Sequence, residues 1–186
     1  MNETLQNIQK RYSCRGYTDV PVPDDLLHAI AYSGLCAPST MGSEPWHIVI
    51  VKDEALIAEM QEYALGYLQE NIPSAYDRCM SRGGKLFYDV RRMIFVAQRP
   101  DADGQTPELD SGIVTQNMVL AATSLGVANV ICGIARFCFT GDRKEVYEKR
   151  LGFPEGYVFG MSLLLGYEKE AGAPHQPDES KITVIE

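Results

Sequence analysis

Arg11, Ser13 and Arg15 stand at alternate positions in Arg11-Tyr12-Ser13-Cys14-Arg15-Gly16-Tyr17. In extended backbone, residues i, i+2 and i+4 point to one side, so two guanidinium forks and a hydroxyl gather into a compact anion site that suits a phosphate. A solvated charge pair at the end of a helix accounts for the same residues on so short a motif. A second stretch, Ala37-Pro38-Ser39-Thr40-Met41-Gly42-Ser43-Glu44-Pro45-Trp46, follows one predicted helix later, and proline near both ends restricts its backbone. Two more segments complete the set. One is Asp110-Ser111-Gly112-Ile113-Val114-Thr115-Gln116-Asn117-Met118, and the other is Leu151-Gly152-Phe153-Pro154, which leads to a strand ending Leu165-Gly166-Tyr167.

Other chemistries lack their residues. There is no Ser-His-Asp order, Gly-x-Ser-x-Gly elbow or Walker-type lysine loop, which argues against hydrolases and nucleotide triphosphatases. Five cysteines without a Cys-x-x-Cys pair fit free thiols in a reducing compartment, and three scattered histidines give no metal site. A formal net charge of -8 repels nucleic acid and anionic membranes, so a bound phosphate must be held by locally placed cations. No apolar stretch approaches membrane-spanning length and the N-terminus lacks a secretory pattern, so a cytosolic protein is expected. At 186 residues the chain is expected to form one domain, residues 1–186, with a core that needs no disulfides.

In their order, the four segments resemble the nitroreductase family of FMN-dependent oxidoreductases. The resemblance covers nearly the whole chain and implies an α+β, three-layer fold: a central mixed or antiparallel sheet flanked by helices, with a C-terminal strand exchanged across a homodimer. It implies FMN as cofactor and NADH or NADPH as reductant. Arg11 then meets the phosphate with Tyr12 and Ser13 nearby, and Arg15 approaches the pyrimidine edge of the ring, where a cation stabilises the anionic reduced flavin. Pro38, Ser39, Thr40, Gly42 and Glu44 close over the partner's flavin. Asn117, the backbone of Ile131, Cys132 and Gly133, and His175 from the tail complete the cofactor set. No side chain is assigned a catalytic role, because hydride chemistry belongs to flavin N5. A small-molecule electron acceptor such as a nitroaromatic or quinone takes the electrons in a second half-reaction. Reductive dehalogenation, another flavin reaction, or a non-catalytic flavin-binding role are the alternatives. The family's Asn and Gln fall here on Gly42 and Glu44, and an ionised Glu44 accepts hydrogen bonds but donates none.

These residues need elements to position them. Leu5, Ile8 and Tyr12 form a helical stripe that delivers Arg11 just past the last turn. A helix opening at Asp24 and Asp25 is expected to stop at Gly34, before the Pro38 loop. Trp46 and Ile48–Val51, Met93–Ala97, Val127–Ile134 and Tyr157–Leu165 read as strands, and 54–71 and 142–151 as helices. A further helix is expected from Asp110, apolar nearly all round from Ile113 to Leu125, which suggests a central helix or a subunit interface. Arg99–Gly104 reads as a polar turn. Residues 72–89 are poorly patterned, as lids and binding loops are, so Phe87 and Tyr88 are candidate substrate contacts; a satellite of the core explains them equally well. The proline- and glycine-rich tail ends in Ile182–Ile185, strand-like in composition and in need of a sheet edge.

Overall fold

Alternation along two apolar strands sets the architecture of the computed structural model, which describes residues 1–100 and 106–186. In chain order the elements are α1 (Glu3–Lys10), α2 (Asp24–Leu35), β1 (Trp46–Val51), α3 (Glu54–Asn71), α4 (Pro73–Met80), β2 (Arg92–Gln98), α5 (Pro107–Ser124), β3 (Ala128–Ile131), α6 (Lys144–Arg150) and β4 (Val158–Gly166). The sheet runs β1-β2-β4-β3 with every pairing antiparallel. Met93, Phe95 and Leu164 enter one apolar cluster, whereas Ile94, Val96, Leu163 and Leu165 enter another on the opposite face. Successive side chains point to opposite faces, so a sheet buried on both sides is apolar at most positions, and its buried polar residues Gln98, Asn129 and Ser162 are each hydrogen-bonded. Helices α2 and α5 cover the second cluster, and α3 with the short helical segment Gly133–Phe139 covers the first.

Several boundaries differ from the sequence expectation for local reasons. Helix α5 opens at Pro107, which needs no N–H in the first turn, so Asp110 lies one turn inside it. Helix α2 runs through Gly34 to Leu35. That glycine serves close packing, since a Cβ there would lie 2.9 Å from Ile48 Cδ1 and 3.0 Å from Met118 Cγ. Strand β3 ends at Ile131; Cys132 (ψ 75°) makes one more bond to β4 through its N–H, and the short helical segment Gly133–Phe139 follows. Within 72–89, Pro73 starts the short helix α4. A further glycine, Gly160, sits on β4 beside a register shift between Val96 and Ala97; a Cβ there would meet Ser111 Oγ at 2.8 Å, Gln98 Oε1 at 2.9 Å and the Val96 carbonyl at 3.0 Å.

Both chain ends leave apolar groups outside. Leu5 and Ile8 are 49% and 47% exposed, so the stripe on α1 faces outward. Ile182, Val184 and Ile185 are exposed, and the tail joins no strand among the described residues. The tail's first part is anchored: Tyr17 bridges Glu168, Lys169 N–H donates to the Gly16 carbonyl at 3.0 Å, and Gly172 lies against the Tyr12 ring. Arg91 and Arg92 both pair with Glu54 and so fasten the start of β2 to the start of α3. From Asp101 on, the expected polar turn lies outside the described residues. No described helix is long and apolar enough to cross a membrane.

Candidate functional site

Helix α1 stops at Lys10, and Arg11 turns extended (φ -60°, ψ 133°). Lys10, Arg11 and Tyr12 then face a cavity of about 250 Å³ whose far wall is the α5–β3 turn from Thr123 to Asn129. The Tyr12 hydroxyl is buried without a partner, and its ring lies against Gly172 of the tail. The segment is pinned there by Cys14 N–H, which donates to the Asn129 carbonyl at 2.9 Å, and by Tyr17 Oη, which donates to the Cys14 carbonyl at 3.1 Å. Asn129, unforeseen from the sequence, braces the turn by donating from Nδ2 to the Val127 carbonyl and Thr123 Oγ1, each at 3.2 Å. Arg15 does not converge on Arg11: it is exposed, and its Nη1 turns back to the Ser13 carbonyl at 3.2 Å. The two cations on one cavity are Lys10 and Arg11; Glu168 lines it too, so an anion there would be held against one carboxylate by two cations.

The Ala37–Trp46 loop is held in an unusual backbone. Met41 (φ 55°), Gly42 (φ 67°) and Glu44 (φ 45°) are all left-handed, which costs the two non-glycine residues about 1–3 kcal/mol each unless the surroundings enforce it. Enforcement comes from two side chains. Ser39 Oγ accepts from Glu44 N–H at 2.9 Å, and Asp110 Oδ1 accepts from Thr40 N–H at 3.3 Å and Thr40 Oγ1 at 3.5 Å. Asp110 is 2% exposed with Oδ2 unpartnered, one turn inside α5. Pro38 and Gly42 are exposed, while Ser39 and Thr40 are half-buried. Glu44 lines a cleft of about 370 Å³ between α2 and the outer edge of β1, together with Tyr32, Trp46 and Ile48. Asn117 ties α5 to α2 by donating from Nδ2 to the Ser33 carbonyl at 3.2 Å.

The segment after β3 offers less backbone than expected. Cys132 N–H donates to the Ser162 carbonyl and Ser162 Oγ donates to the Cys132 carbonyl, both at 2.8 Å, so both polar backbone groups of Cys132 are already bonded to β4. Its thiol points inward toward the Leu86 carbonyl, and burial pushes its pKa up to about 11. Ile131, 41% exposed, and the half-buried Gly133 remain open. His175 is exposed on the tail, away from the Arg11 cavity lining. Phe87 is 1% exposed within the first core cluster, so it packs and touches no ligand in this conformation. Tyr88 is half-buried, left-handed (φ 53°), and borders a pocket beside α4.

The family model that matches, over residues 8–167, is that of the nitroreductase family. A solved nitroreductase with bound FMN from Desulfitobacterium hafniense DCB-2 is 46% identical, superposes with a TM-score of 0.96, and the match covers 100% of both chains. A second with bound FMN, from Bacteroides fragilis NCTC 9343, is 28% identical with a TM-score of 0.89, again over 100% of both chains. The NADPH-flavin oxidoreductase of Vibrio harveyi is 30% identical over 97% of this chain and 70% of its own length.

Proposed function

The chain belongs to the nitroreductase family, and on that premise we propose that it is an FMN-dependent oxidoreductase that takes electrons from NADH or NADPH and delivers them to a flat electrophile such as a nitroaromatic or quinone. The observation that carries this reading is the pairing of Lys10 and Arg11 on one cavity, within a fold that matches an FMN-bound nitroreductase over its full length. FMN, when bound, supplies the exchange of electrons between reductant and acceptor, which explains why the site needs no dyad of acid and base. Arg11 and Lys10 hold the phosphate, with Ser13 beside them. Arg15, exposed and held only by its own Ser13 carbonyl, is the cation assigned to the ring's pyrimidine edge. Ile131 and Gly133 form the wall under the ring. Asp110 keeps the Pro38–Glu44 loop in its left-handed form, ready to cover a flavin.

A homodimer belongs to the same reading. The outer edge of β1 is unpaired among the described residues and opens on the apolar cleft lined by Trp46, Ile48, Ile50 and Leu35. The other end of the sheet is partly closed, because Cys14 donates to β3 there. An unpaired edge with apolar neighbours, and a tail with exposed Ile182, Val184 and Ile185, are complementary liabilities that a second copy removes. We assign the protein to the cytosol, where its free cysteines stay reduced.

Heat release and chromatography of the cofactor should give FMN and no FAD, and stopped-flow mixing with NADH or NADPH should bleach the flavin band. Finding FAD, or no flavin after reconstitution, refutes the cofactor assignment; flavin that neither nucleotide reduces refutes the enzyme. Truncation after Ala173 should shift light scattering toward the monomer and lower flavin content together. An intact protein that is monomeric and fully flavinated refutes the dimer.

A further inference from the structure

Helix α4 and the turn after it build a pocket of about 130 Å³ that the cofactor assignment leaves unused. Its rim carries Arg78, Arg82 and Lys85, and its floor is Cys79, Leu86, Tyr88 and Ile134. One cation in the last turn of a helix offsets the helix dipole, and Arg78 has that place. Arg82 and Lys85 lie beyond the helix, and no carboxylate lines the pocket. Lys85 pairs with Asp89 at the margin, while among the described residues neither Arg78 nor Arg82 makes an ion pair. With Lys85 paired to Asp89, Arg78 and Arg82 are left as two like charges without an ion-pair partner among the described residues, and in a chain of net charge -8 they make a local positive patch. The floor cannot neutralise them. Burial outweighs the nearby Arg82 at Cys79 and raises its thiol pKa, so the sulfur stays protonated.

The backbone presents this rim in a defined way. Gly83 (φ 94°) and Gly84 (φ 70°) reverse the chain, and Gly84 N–H donates to the Cys79 carbonyl at 3.1 Å. Tyr88 and Asp89, both left-handed, turn it again so that Lys85 and Tyr88 face α4 across the pocket. The floor is continuous with the proposed flavin wall, since Ile134 follows Gly133 and the Cys132 thiol lies against the Leu86 carbonyl.

We infer that this pocket is an oxyanion subsite, in which Arg78 and Arg82 pair with a carboxylate or phosphate carried by a flat substrate whose ring rests on Tyr88. The inference rests on the flavin-enzyme reading and deepens it by specifying the charge of the substrate. Two guanidinium forks over an aromatic and apolar floor match an anion on a planar body, since arginine pairs oxyanions through two parallel bonds while the floor removes water from the ring. Two sources carry that chemistry: an acceptor bearing a carboxylate, and the 2′-phosphate that distinguishes NADPH from NADH.

The test uses the FMN-loaded enzyme and its Arg78→Ala, Arg82→Ala and doubly substituted variants. One arm measures kcat/KM for 4-nitrobenzoate relative to its neutral methyl ester, and the other measures kcat/KM for NADPH relative to NADH. Loss of charged hydrogen bonds predicts that the double substitution lowers one of these ratios about ten-fold or more. A fall in the first ratio identifies an anionic acceptor, and a fall in the second identifies the reductant's phosphate. If both ratios stay within two-fold in a working enzyme, the subsite is refuted. If the unsubstituted protein binds no FMN or oxidises neither nucleotide, the flavin reading fails and takes this inference with it.

Discussion

Replacing Gly160 by alanine tests whether the contact between β4 and α5 is as tight as the structure has it. The added methyl would fall 2.8 Å from Ser111 Oγ, 2.9 Å from Gln98 Oε1 and 3.0 Å from the Val96 carbonyl, all below ordinary van der Waals separation. Two of these atoms are partners in one hydrogen bond, Ser111 Oγ donating to Gln98 Oε1 at 2.8 Å, and the third is backbone in a central strand. Overpacking a dense core costs about 1–3 kcal/mol, and forcing that buried hydrogen bond apart adds about 1 kcal/mol. The sum, about 2–4 kcal/mol, lowers Tm by roughly 5–15 °C in a domain of this size. Calorimetry or urea unfolding of the cofactor-free protein reads it directly. Ser111→Ala removes the nearest obstructing atom, so the double variant should lose less than the sum of the two single ones, as residues that share a contact do. Ser111 also neighbours Asp110, so displacing α5 should weaken flavin binding through the Thr40 loop. A loss below about 0.5 kcal/mol for Gly160→Ala, or strict additivity with Ser111→Ala, would refute the packing argument.

Arg11→Ala should weaken FMN binding by roughly ten- to a hundred-fold, the effect of a lost charged hydrogen bond, and Arg15→Ala should weaken it less while lowering the flavin reduction potential more; fluorescence titration and potentiometry separate the two, and equal effects on both quantities would show the roles to be misassigned. Cys132 gives a stability term with a defined sign. Burial raises its folded-state pKa from 9.0 to about 11, so the unfolded thiol ionises first, and stability that is intact below pH 9 is lost as pH rises toward 11. Urea unfolding between pH 8 and 10.5 should therefore show a shallower decline for Cys132→Ala than for the unsubstituted protein, and parallel declines would contradict it.

Burial on both faces made the central strands legible: Met93–Ala97 is apolar at every position and Tyr157–Leu165 at nearly every one, because β2 and the end of β4 are covered on each side, while Ile48–Val51 on the edge strand is apolar but only half-buried in its middle. The same signal overran the end of β3. The coil after Ile131 is also buried, and hydrophobicity records burial without recording which backbone groups pair. Helix α4 was obscured because it is short and its stripe, Ile72, Ala75, Tyr76 and Cys79, has only small or half-buried members between exposed polar residues. On α1 the spacing of Leu5 and Ile8 identified a shared face, but periodicity cannot say whether that face meets its own chain. Aromatic character likewise did not separate the core residue Phe87 from the pocket residue Tyr88. At the candidate site, the alternation of Arg11, Ser13 and Arg15 located the segment, yet the side chains diverge because Arg15 finds an acceptor within it. The role of Asp110 left no local trace, for its partner Thr40 lies 70 residues away.

Gly172 divides the tail into two parts that selection sees differently. A side chain there would overlap the Tyr12 ring, with its Cβ 2.2 Å from Cε2, and no turn or unusual φ demands the glycine, so approach alone imposes the constraint. Upstream, the bridge to Tyr17 and the hydrogen bond to Gly16 fix the path, Glu168 lines the Arg11 cavity, and freedom is left to outward side chains such as Lys169. Downstream, residues 173–186 are almost wholly exposed, so their sequence answers to whatever surface they dock on. The tail is thus a fixed post carrying an exposed arm. A longer or shorter arm would leave its point of departure unchanged, because the contacts that fix it lie at or before Gly172.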